Sequence, residues 1–200
     1  MADTRAGTRA ELRVAFVTGT TPDKWARAWR ERRRERLVLV PVTEDEQGAV
    51  VRRGEVDLAL VRLPVDTDGL HRVRLYDELP VVVAGHEHLV AAAHTVTLAD
   101  LADEQLVRPH ASGWRPEAEQ LPWPPMSERE AIETVAAGTG VVLVPMSVAR
   151  LYHREDVVQR EVTDLAPSTI ALVWRQARDD DVTQAFVGVV KGRTANTSRG

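Results

Sequence analysis

The fold class is decided by one stretch, Glu130-Ala-Ile-Glu-Thr-Val-Ala-Ala-Gly-Thr-Gly-Val-Val-Leu-Val-Pro145. Apolar residues recur at i, i+3 and i+4 from Ile132, which predicts a short helix with one apolar face. Gly138 follows, and glycine readily adopts the left-handed conformation in which many helices end. Residues 141–144 are an apolar run too short for a helix, so we predict a buried strand that ends at the proline.

Strands and helices alternate in the first third of the chain. Apolar runs predict strands over 12–18, 37–42 and 56–61. Thr21, followed by a proline, predicts the N-cap of a first helix, and Thr43-Glu-Asp-Glu46 is a capping box that predicts a second helix ending at Gly54. The resulting β-α-β-α-β order is typical of a parallel sheet with right-handed crossovers.

The remainder of the chain contains fewer regular elements. We predict strands over 79–84 and 169–175, a short helix near 98–102 and a final helix from Asp181. Residues 108–125 contain five prolines without apolar periodicity and are predicted to be loop. Ser127 begins another capping box, which starts the helix of the opening stretch. Residues 1–11 and 193–200 are polar and are predicted to be disordered tails.

Composition excludes several classes of protein. The 200 residues are 44% hydrophobic, which is ample for a core, and the net charge of −4 argues against a free-standing nucleic-acid binder. There is no cysteine, which excludes disulfides, thiolate metal sites and a cysteine nucleophile. No apolar run approaches the roughly 20 residues of a membrane span, and no secretory signal begins the chain. We therefore expect a cytoplasmic protein with no membrane partner.

Several stretches, taken in chain order, resemble the effector-binding domain of LysR-type transcriptional regulators. Besides the opening stretch, they are Leu12-Arg-Val-Ala-Phe-Val, Val51-Arg-Arg-Gly-Glu-Val-Asp-Leu-Ala-Leu-Val, Leu75-Tyr-Asp-Glu-Leu-Pro-Val-Val-Val-Ala, Gly85-His-Glu-His-Leu-Val, Val96-Thr-Leu-Ala-Asp-Leu and Ile170-Ala-Leu-Val-Trp-Arg. The resemblance implies an α/β, two-lobed type-2 periplasmic-binding-protein fold with two crossover strands and a ligand between the lobes. Lobe I then comprises 12–86 and 168–192, and lobe II comprises 87–167.

The chain departs from the family pattern in two respects. The N-terminal winged helix-turn-helix of the family is missing from this sequence, so we expect action on transcription through a partner or a separate DNA-binding module. The segment between Leu106 and Glu130 is shorter than the family usually has, which implies a shortened lobe II. The alternatives are a solute-binding protein of a transporter and a ligand-free protein-interaction module.

The resemblance also implies a function. The domain is expected to be a non-enzymatic sensor, without a cofactor, of a small-molecule effector such as a small carboxylate or an aromatic acid. The family pairs its effector domains through the first helix, which implies a homodimer. The arginines of that helix, within 27–36, are interrupted by acids, so direct nucleic-acid binding is not expected. Trp25 and Trp29 are spaced i, i+4 to face the core or a neighbouring subunit.

Candidate ligand-binding residues come from the ends of predicted strands. Thr18, Thr20 and Thr21 lie where the first strand meets the first helix, a place where open α/β sheets bind ligands and where N–H groups favour anions. The family commonly holds an effector carboxylate with a serine or threonine in this loop, although helix capping alone also explains Thr21. Arg62 and Pro64 end the third strand, and Arg62 is either the partner of a carboxylate or a surface arginine.

Two further candidates lie in the predicted second lobe. Ser127 begins a helix and is either a cap alone or a cap that also contacts ligand. Trp114 lies in the proline-rich loop and is either a ligand contact, a partner anchor or part of a small core. His86 and His88 form an HxH pair, but a metal site needs a third ligand held in geometry, so no metal is expected.

Overall fold

The computed structural model describes residues 11–192. The predicted tails 1–10 and 193–200 lie outside the described residues, and Glu11, predicted as tail, is the first residue of a strand. The elements, in chain order, are β1 (Glu11–Val17), α1 (Asp23–Arg32), β2 (Arg36–Val42), α2 (Ala49–Arg52), β3 (Leu58–Arg62), β4 (Leu70–Glu78), β5 (Pro80–Gly85), β6 (Thr95–Val96), α3 (Glu128–Ala136), β7 (Val141–Pro145), α4 (Met146–Leu151), β8 (Val157–Val162), β9 (Ser168–Arg175) and α5 (Asp181–Val190). Short 3₁₀ helices occur at Leu89–Ala92, Ala99–Leu101 and Gln176–Arg178.

The chain divides into two compact units. Within the described residues, the first comprises 11–76 and 169–192, and the second comprises 77–168. The first division therefore falls before β5, whereas the limits inferred from sequence place β5 in lobe I. The physical reason is strand pairing, because β5 forms antiparallel ladders with β7 and β8 of the second unit.

The first unit is built on a five-stranded sheet in the order β2-β1-β3-β9-β4. Strand β1 pairs in parallel with β2 and with β3, which confirms the predicted β-α-β-α-β arrangement, and β9 returns antiparallel to β3. Both faces of the sheet are covered. Trp29 of α1 packs edge-on against Phe186 of α5 on one face, and Val51 of α2 is fully buried on the other. Strand β3, covered on both faces, is therefore apolar throughout until Arg62.

The helix starts of the first unit differ from the predictions. Helix α1 begins at Asp23 after Pro22 and has no side-chain cap, so the prediction of Thr21 as N-cap is wrong. The carbonyl of Pro22 instead accepts the first helical bonds, from the amides of Trp25 at 3.0 Å and Ala26 at 2.9 Å. After Thr43 the chain forms hydrogen-bonded turns, so the helix predicted to start at the Thr43 capping box is only the single turn of α2, Ala49–Arg52. Gly54 follows shortly after α2 with φ of 74°.

The second unit contains a four-stranded sheet in the order β6-β8-β5-β7. The opening stretch folds as predicted: Ser127 caps α3, Gly138 has φ of 86°, and β7 is a buried strand. Residues 108–125 contain no helix or strand, as predicted. Strands β4, β6 and β8 and helix α4 are additional to the prediction. Strand β8, VVQREV, is mostly half-buried, so its polar residues conceal the strand pattern in the sequence. No helix among residues 11–192 is long and apolar enough to cross a membrane.

Candidate ligand-binding site

The candidate site of the first unit lies where three parallel strands end. Strands β1, β2 and β3 run in the same direction, so Val17, Val42 and Arg62 finish at the same edge of the sheet. Loops leave the sheet at this edge, and an open α/β sheet binds ligands outside the carboxyl ends of its strands.

A tight turn after β1 carries the three candidate threonines. Gly19 has φ of 91°, a conformation that favours glycine, and the chain then turns towards α1. Thr20 is buried, its hydroxyl donates to the carbonyl of Val17 at 2.6 Å, and its amide donates to the same oxygen at 3.1 Å. Thr20 therefore fixes the turn. Thr18 is half-buried and Thr21 is exposed, so both side chains are more accessible than that of Thr20.

Arg62 is a buried arginine, not a surface arginine. It is only 3% exposed, and its Nη2 donates to the carbonyl of Thr18 at 3.0 Å. Gln47, also 3% exposed, holds the backbone of the same residue: its Oε1 accepts from the Arg62 amide at 2.7 Å and its Nε2 donates to the Arg62 carbonyl at 3.0 Å. The guanidinium is thereby tied to the turn after β1, and β3 is tied to the loop after β2.

The charge of Arg62 faces a carboxylate from its own chain. Nη1 of Arg62 lies 3.6 Å from Oε1 of Glu44, a distance of ion pairing rather than hydrogen bonding. The side chain of Glu44 is 24% exposed, so its carboxylate is the more solvent-accessible member of the pair. The sequence pattern identified Arg62 but missed Glu44 and Gln47. The available signal was their position in the polar segment directly after β2.

Pro64 is exposed and follows β3 at the same sheet edge. The described contacts bring together the Thr18 carbonyl, Arg62, Glu44 and Gln47, and Pro64 takes no part in these hydrogen bonds. Thr20 joins the group only through the turn that positions Thr18. The structure thus assembles part of the predicted set around Arg62.

Ser127, in the second unit, forms a complete capping box with Glu130. Its amide and its hydroxyl both donate to Oε2 of Glu130 at 2.8 Å, and its Oγ accepts from the Glu130 amide at 3.3 Å. The backbone and side-chain hydrogen bonds from Ser127 lower the pKa of Glu130. The capping role is therefore explicit in the structure, whereas ligand contact stays a prediction.

We expect Ser127→Ala to destabilise the protein by about 1 kcal/mol at neutral pH, because an alanine cap leaves a helix amide without its acceptor. The hydrogen bonds that lower the pKa of Glu130 stabilise its ionised form, and this contribution is lost as the pH falls below the ordinary value of 4.5. Chemical denaturation across pH 3–7 checks this, with Ser127→Asn, which keeps a capping side chain, as the control. The difference between Ser127→Ala and wild type is expected to narrow in acid only by the part due to the hydroxyl bond to Glu130, because the Ser127 amide bond remains in the variant. An equal loss for Ser127→Asn and Ser127→Ala would contradict the capping account.

Trp114 is half-buried and packs against a core cluster of the second unit that includes Leu106 and Val141. Trp114 therefore packs in a small core, as one of the alternatives predicted, and its contact with a ligand stays a prediction. The two histidines of the HxH pair point to separate partners: His88 Nε2 lies 3.0 Å from Glu104 Oε2, and His86 Nδ1 lies 3.3 Å from the Asp156 carbonyl. Residues 11–192 contain no cluster of three or more potential metal ligands among His, Asp and Glu.

Comparison with known proteins identifies the family. The family model described as the LysR substrate binding domain matches residues 5–195. The chain belongs to this family. Its described structure resembles the effector-binding domain of a BenM variant with a TM-score of 0.76 at 18% identity, covering 92% of this chain and 94% of that one. The structure is therefore a LysR effector-binding domain with a type-2 periplasmic-binding-protein fold.

Two relatives of this LysR domain are named as transcriptional activators. The Hca operon transcriptional activator HcaR of Escherichia coli is 25% identical over 81% of this chain and 59% of its own length. The probable hydrogen peroxide-inducible genes activator of Mycobacterium avium is 34% identical over 72% of this chain and 50% of its own length. The chain thus spans between half and two thirds of these relatives. Both are regulators, in agreement with the non-enzymatic expectation for this LysR domain.

Proposed function

We propose that this LysR domain senses a small carboxylate, which binds at the sheet edge of the first unit and pairs with Arg62. The observation that carries the proposal is the guanidinium of Arg62, 3% exposed and 3.6 Å from Glu44. Burying a guanidinium is costly unless it is paired and hydrogen-bonded. Arginine is favoured in buried ion pairs because its planar guanidinium matches a carboxylate with two parallel hydrogen bonds.

Glu44 gives the proposed site two states. Without ligand, its carboxylate neutralises Arg62 from a position that is 24% exposed. A ligand carboxylate competes for the same guanidinium with better hydrogen-bond geometry, since the pair with Glu44 is longer than a hydrogen bond. Displaced Glu44 moves outward to solvent, and the loop after β2 moves with it. The difference in ligand affinity between the two states then shifts their populations, which is the signal of a regulatory domain.

The turn after β1 responds to the same event. Nη2 of Arg62 donates to the Thr18 carbonyl, so a ligand that reorients the guanidinium acts on residues 18–21 directly. Thr18 and Thr21, the more accessible threonines, are positioned to donate hydroxyl hydrogen bonds to the ligand. Thr20 keeps its hydroxyl on the Val17 carbonyl and supports the turn.

Peroxide sensing by thiol oxidation is a separate possibility raised by the name of the M. avium relative. That chemistry requires a cysteine thiolate. This chain contains no cysteine, so its residues do not support a thiol-based sensor. A reversible ligand is the sensing chemistry that its residues support.

The proposal extends to the output of the domain. We propose that the cytoplasmic domain acts on transcription through a homodimer, a protein partner or a DNA-binding module, without itself contacting nucleic acid. Trp25 and Trp29 are buried in the core of their own unit, so an interface on α1 would use the other, charged side of that helix. The net charge of −4 is consistent with a domain that does not bind DNA.

Acetate, the probe for the test, is titrated against the ¹⁵N-labelled chain by NMR, with acetamide as the neutral control. We expect acetate to shift the amides of Thr18, Gly19 and Thr20, and acetamide not to shift them. Glu44→Gln removes the competing carboxylate and is expected to raise acetate affinity about tenfold. Arg62→Lys keeps the charge but removes the planar fork, and is expected to lower it about tenfold.

Asp45→Asn is the matched control for Glu44→Gln, because Asp45 is an exposed acid in the same turn. It removes the same charge without touching Arg62 and is expected to change acetate affinity less than twofold. Equal effects of the two substitutions would show that only net charge matters, and would contradict competition at Arg62. Absence of acetate-dependent shifts at residues 18–20 in Glu44→Gln would contradict the site itself.

A further inference from the structure

A pocket lies in the second unit within the proline-rich loop. It has a volume of about 300 Å³ and is lined entirely by residues between Leu106 and Trp123, including Trp114 and Pro116. This volume is at the lower end of the range for small-molecule sites and matches a ligand of about one ring. The carboxylate site proposed for the first unit shares no residue with it.

The loop that forms the pocket is fixed although it contains no helix or strand. Backbone groups of this loop are held by hydrogen bonds to the side chains of Gln105 and Gln120 instead of by a β-ladder. Gln105 accepts from the Leu121 amide and donates to the Glu119 carbonyl, both at 2.9 Å. Gln120 accepts from the Leu106 amide at 2.7 Å and donates to the Glu104 carbonyl at 2.9 Å. These bonds hold one wall of the pocket against the chain beside β7.

The opposite wall is a self-contained turn. The amide of Gly113, whose φ is 77°, donates to the His110 carbonyl at 3.0 Å. Oγ of Ser112 accepts from the Trp114 amide at 3.2 Å and lies 2.9 Å from Nδ1 of His110. The turn thereby fixes the start of the segment that carries the Trp114 ring. A pocket between two fixed walls is pre-formed, which reduces the ordering cost of binding.

The two tryptophans of the pocket are anchored on opposite sides. Trp114 packs against the core cluster that contains Val82 and Leu143, and Trp123 packs against the cluster that contains Val81 and Val142. Neighbouring residues of a strand face opposite sides of its sheet, so the loop carries one ring to each side. Flat aromatic surfaces favour stacking or edge contact with another ring.

Among the described residues, the only full charge on the pocket lining is positive. Arg115 is exposed and is the lining residue with a full charge at neutral pH, and no carboxylate lines the pocket. Burial, followed by the positive charge of Arg108, lowers the pKa of His110, so this imidazole is neutral at pH 7. An aromatic interior with a cationic edge discriminates in favour of a ring that carries an anionic group.

We propose that this pocket binds a small aromatic carboxylate, with its ring against the aromatic lining that includes Trp114 and Trp123 and its carboxylate directed to Arg115. The site is distinct from the sheet edge of the first unit and gives the domain a second ligand input. Contact with the aromatic ring contributes more to ligand affinity than the ion pair does, because Arg115 is exposed and an exposed ion pair is weak.

The test uses ¹⁵N NMR of the full chain, in which the five tryptophan indoles report separately on both units. Phenylacetate is the probe, cyclohexylacetate lacks the aromatic ring, and phenylacetamide lacks the charge. We expect phenylacetate to shift the indoles of Trp114 and Trp123 and to leave those of Trp25, Trp29 and Trp174 unchanged. Cyclohexylacetate is expected to bind at least tenfold more weakly, and phenylacetamide about fivefold more weakly.

Two variants test the assigned roles. Trp114→Ala is expected to lower phenylacetate affinity more than tenfold, and Arg115→Gln about fivefold without changing phenylacetamide affinity. Arg150→Gln, at an exposed arginine of α4 outside the pocket, is the control and is expected to have no effect. Because Trp114 also packs on the core, folding of Trp114→Ala is checked by its amide spectrum, and Arg115→Gln tests the site without altering packing.

The two proposed sites fail independently. Arg62→Lys is expected to weaken acetate at the first unit while phenylacetate still shifts the Trp114 indole. Phenylacetate shifts confined to the first unit, or equal binding of phenylacetate and cyclohexylacetate, would overturn the pocket proposal and leave the carboxylate site of Arg62 standing. If phenylacetate still shifts the Trp114 and Trp123 indoles but acetate shifts no amide of residues 18–20, the Arg62 site is overturned and the pocket proposal stands.

Discussion

Replacement of Gly140 by alanine is expected to lower the free energy of unfolding by about 4 kcal/mol, the largest single effect among the glycines of the fold-deciding stretch. Gly140 has φ of 69°, which strains any other residue. A Cβ at this position would clash with the carbonyl oxygen of Gln105 and lie 2.8 Å from its Cβ. The clash falls on backbone, which has no flexible side chain to yield.

Gly138→Ala is the matched control for this prediction. Its φ of 86° is as strained for alanine, but an added Cβ has no atom within 4 Å. We therefore expect a loss of only about 1–2 kcal/mol, the conformational term alone. Urea denaturation of both variants, followed by circular dichroism, measures the difference. Equal losses would show that the close approach of Gln105 relaxes without cost and would contradict the packing described around Gly140.

The position of Gly140 also explains why we expect Gly140→Ala to disturb the neighbouring 105–121 loop. The Val141 amide donates to the Gln105 carbonyl at 2.8 Å, and the Val107 amide donates to the Val141 carbonyl at 3.1 Å. These two bonds attach residues 105–107 beside β7. Gly140→Ala displaces this attachment, so we expect the NMR amides of the 105–121 loop to shift with it, whereas Gly138→Ala leaves them in place.

The second large effect is expected for Arg62→Leu, which should cost about 3 kcal/mol of stability. The substitution leaves Glu44 without its cation and the Thr18 carbonyl without its donor, and breaking a partly buried ion pair costs more than the pair contributes. Glu44→Gln is expected to cost less, about 1 kcal/mol, because the glutamine side-chain oxygen can still face the guanidinium and the bond from Arg62 to the Thr18 carbonyl is kept.

A double-mutant cycle measures whether these two residues act together. The variant with both Arg62→Leu and Glu44→Gln is expected to be more stable than the sum of the single losses predicts, by about 1 kcal/mol. Chemical denaturation of the four proteins at neutral pH gives the coupling energy. A coupling of zero would mean that Arg62 is held by its hydrogen bonds alone, and Glu44 would then have no role as the internal competitor of a ligand.

The elements of the fold were predictable where local pattern and tertiary environment agree. The capping box of Ser127, the left-handed Gly138 and the apolar run of β7 each have a local physical cause that sequence spacing displays. Strand β8 was missed because its pairing with β5, rather than apolar alternation, makes it a strand. The start of α1 was misplaced by one residue, because Pro22 rather than Thr21 occupies the N-cap position and the helix has no side-chain cap.

The candidate site was predictable only at the level of the sheet edge. Parallel strand order brought Arg62 and the loop after β1 together, as the alternation of elements indicated. The pairing of Arg62 with Glu44 and the exchange of hydrogen bonds with Gln47 depend on a crossing between separate loops. No spacing rule encodes such contacts. The pocket of the proline-rich loop was missed for the same reason, since glutamine-to-backbone bonds fix it.

The central claim, that this LysR domain senses a small carboxylate through Arg62, is tested most directly by native mass spectrometry. Wild type, Arg62→Lys and the control Arg150→Gln are purified gently from the organism that encodes the chain. The account predicts a small acidic molecule retained by wild type and by Arg150→Gln and depleted in Arg62→Lys. An adduct retained equally by all three, or an adduct-free chain bound to a second polypeptide, would contradict it.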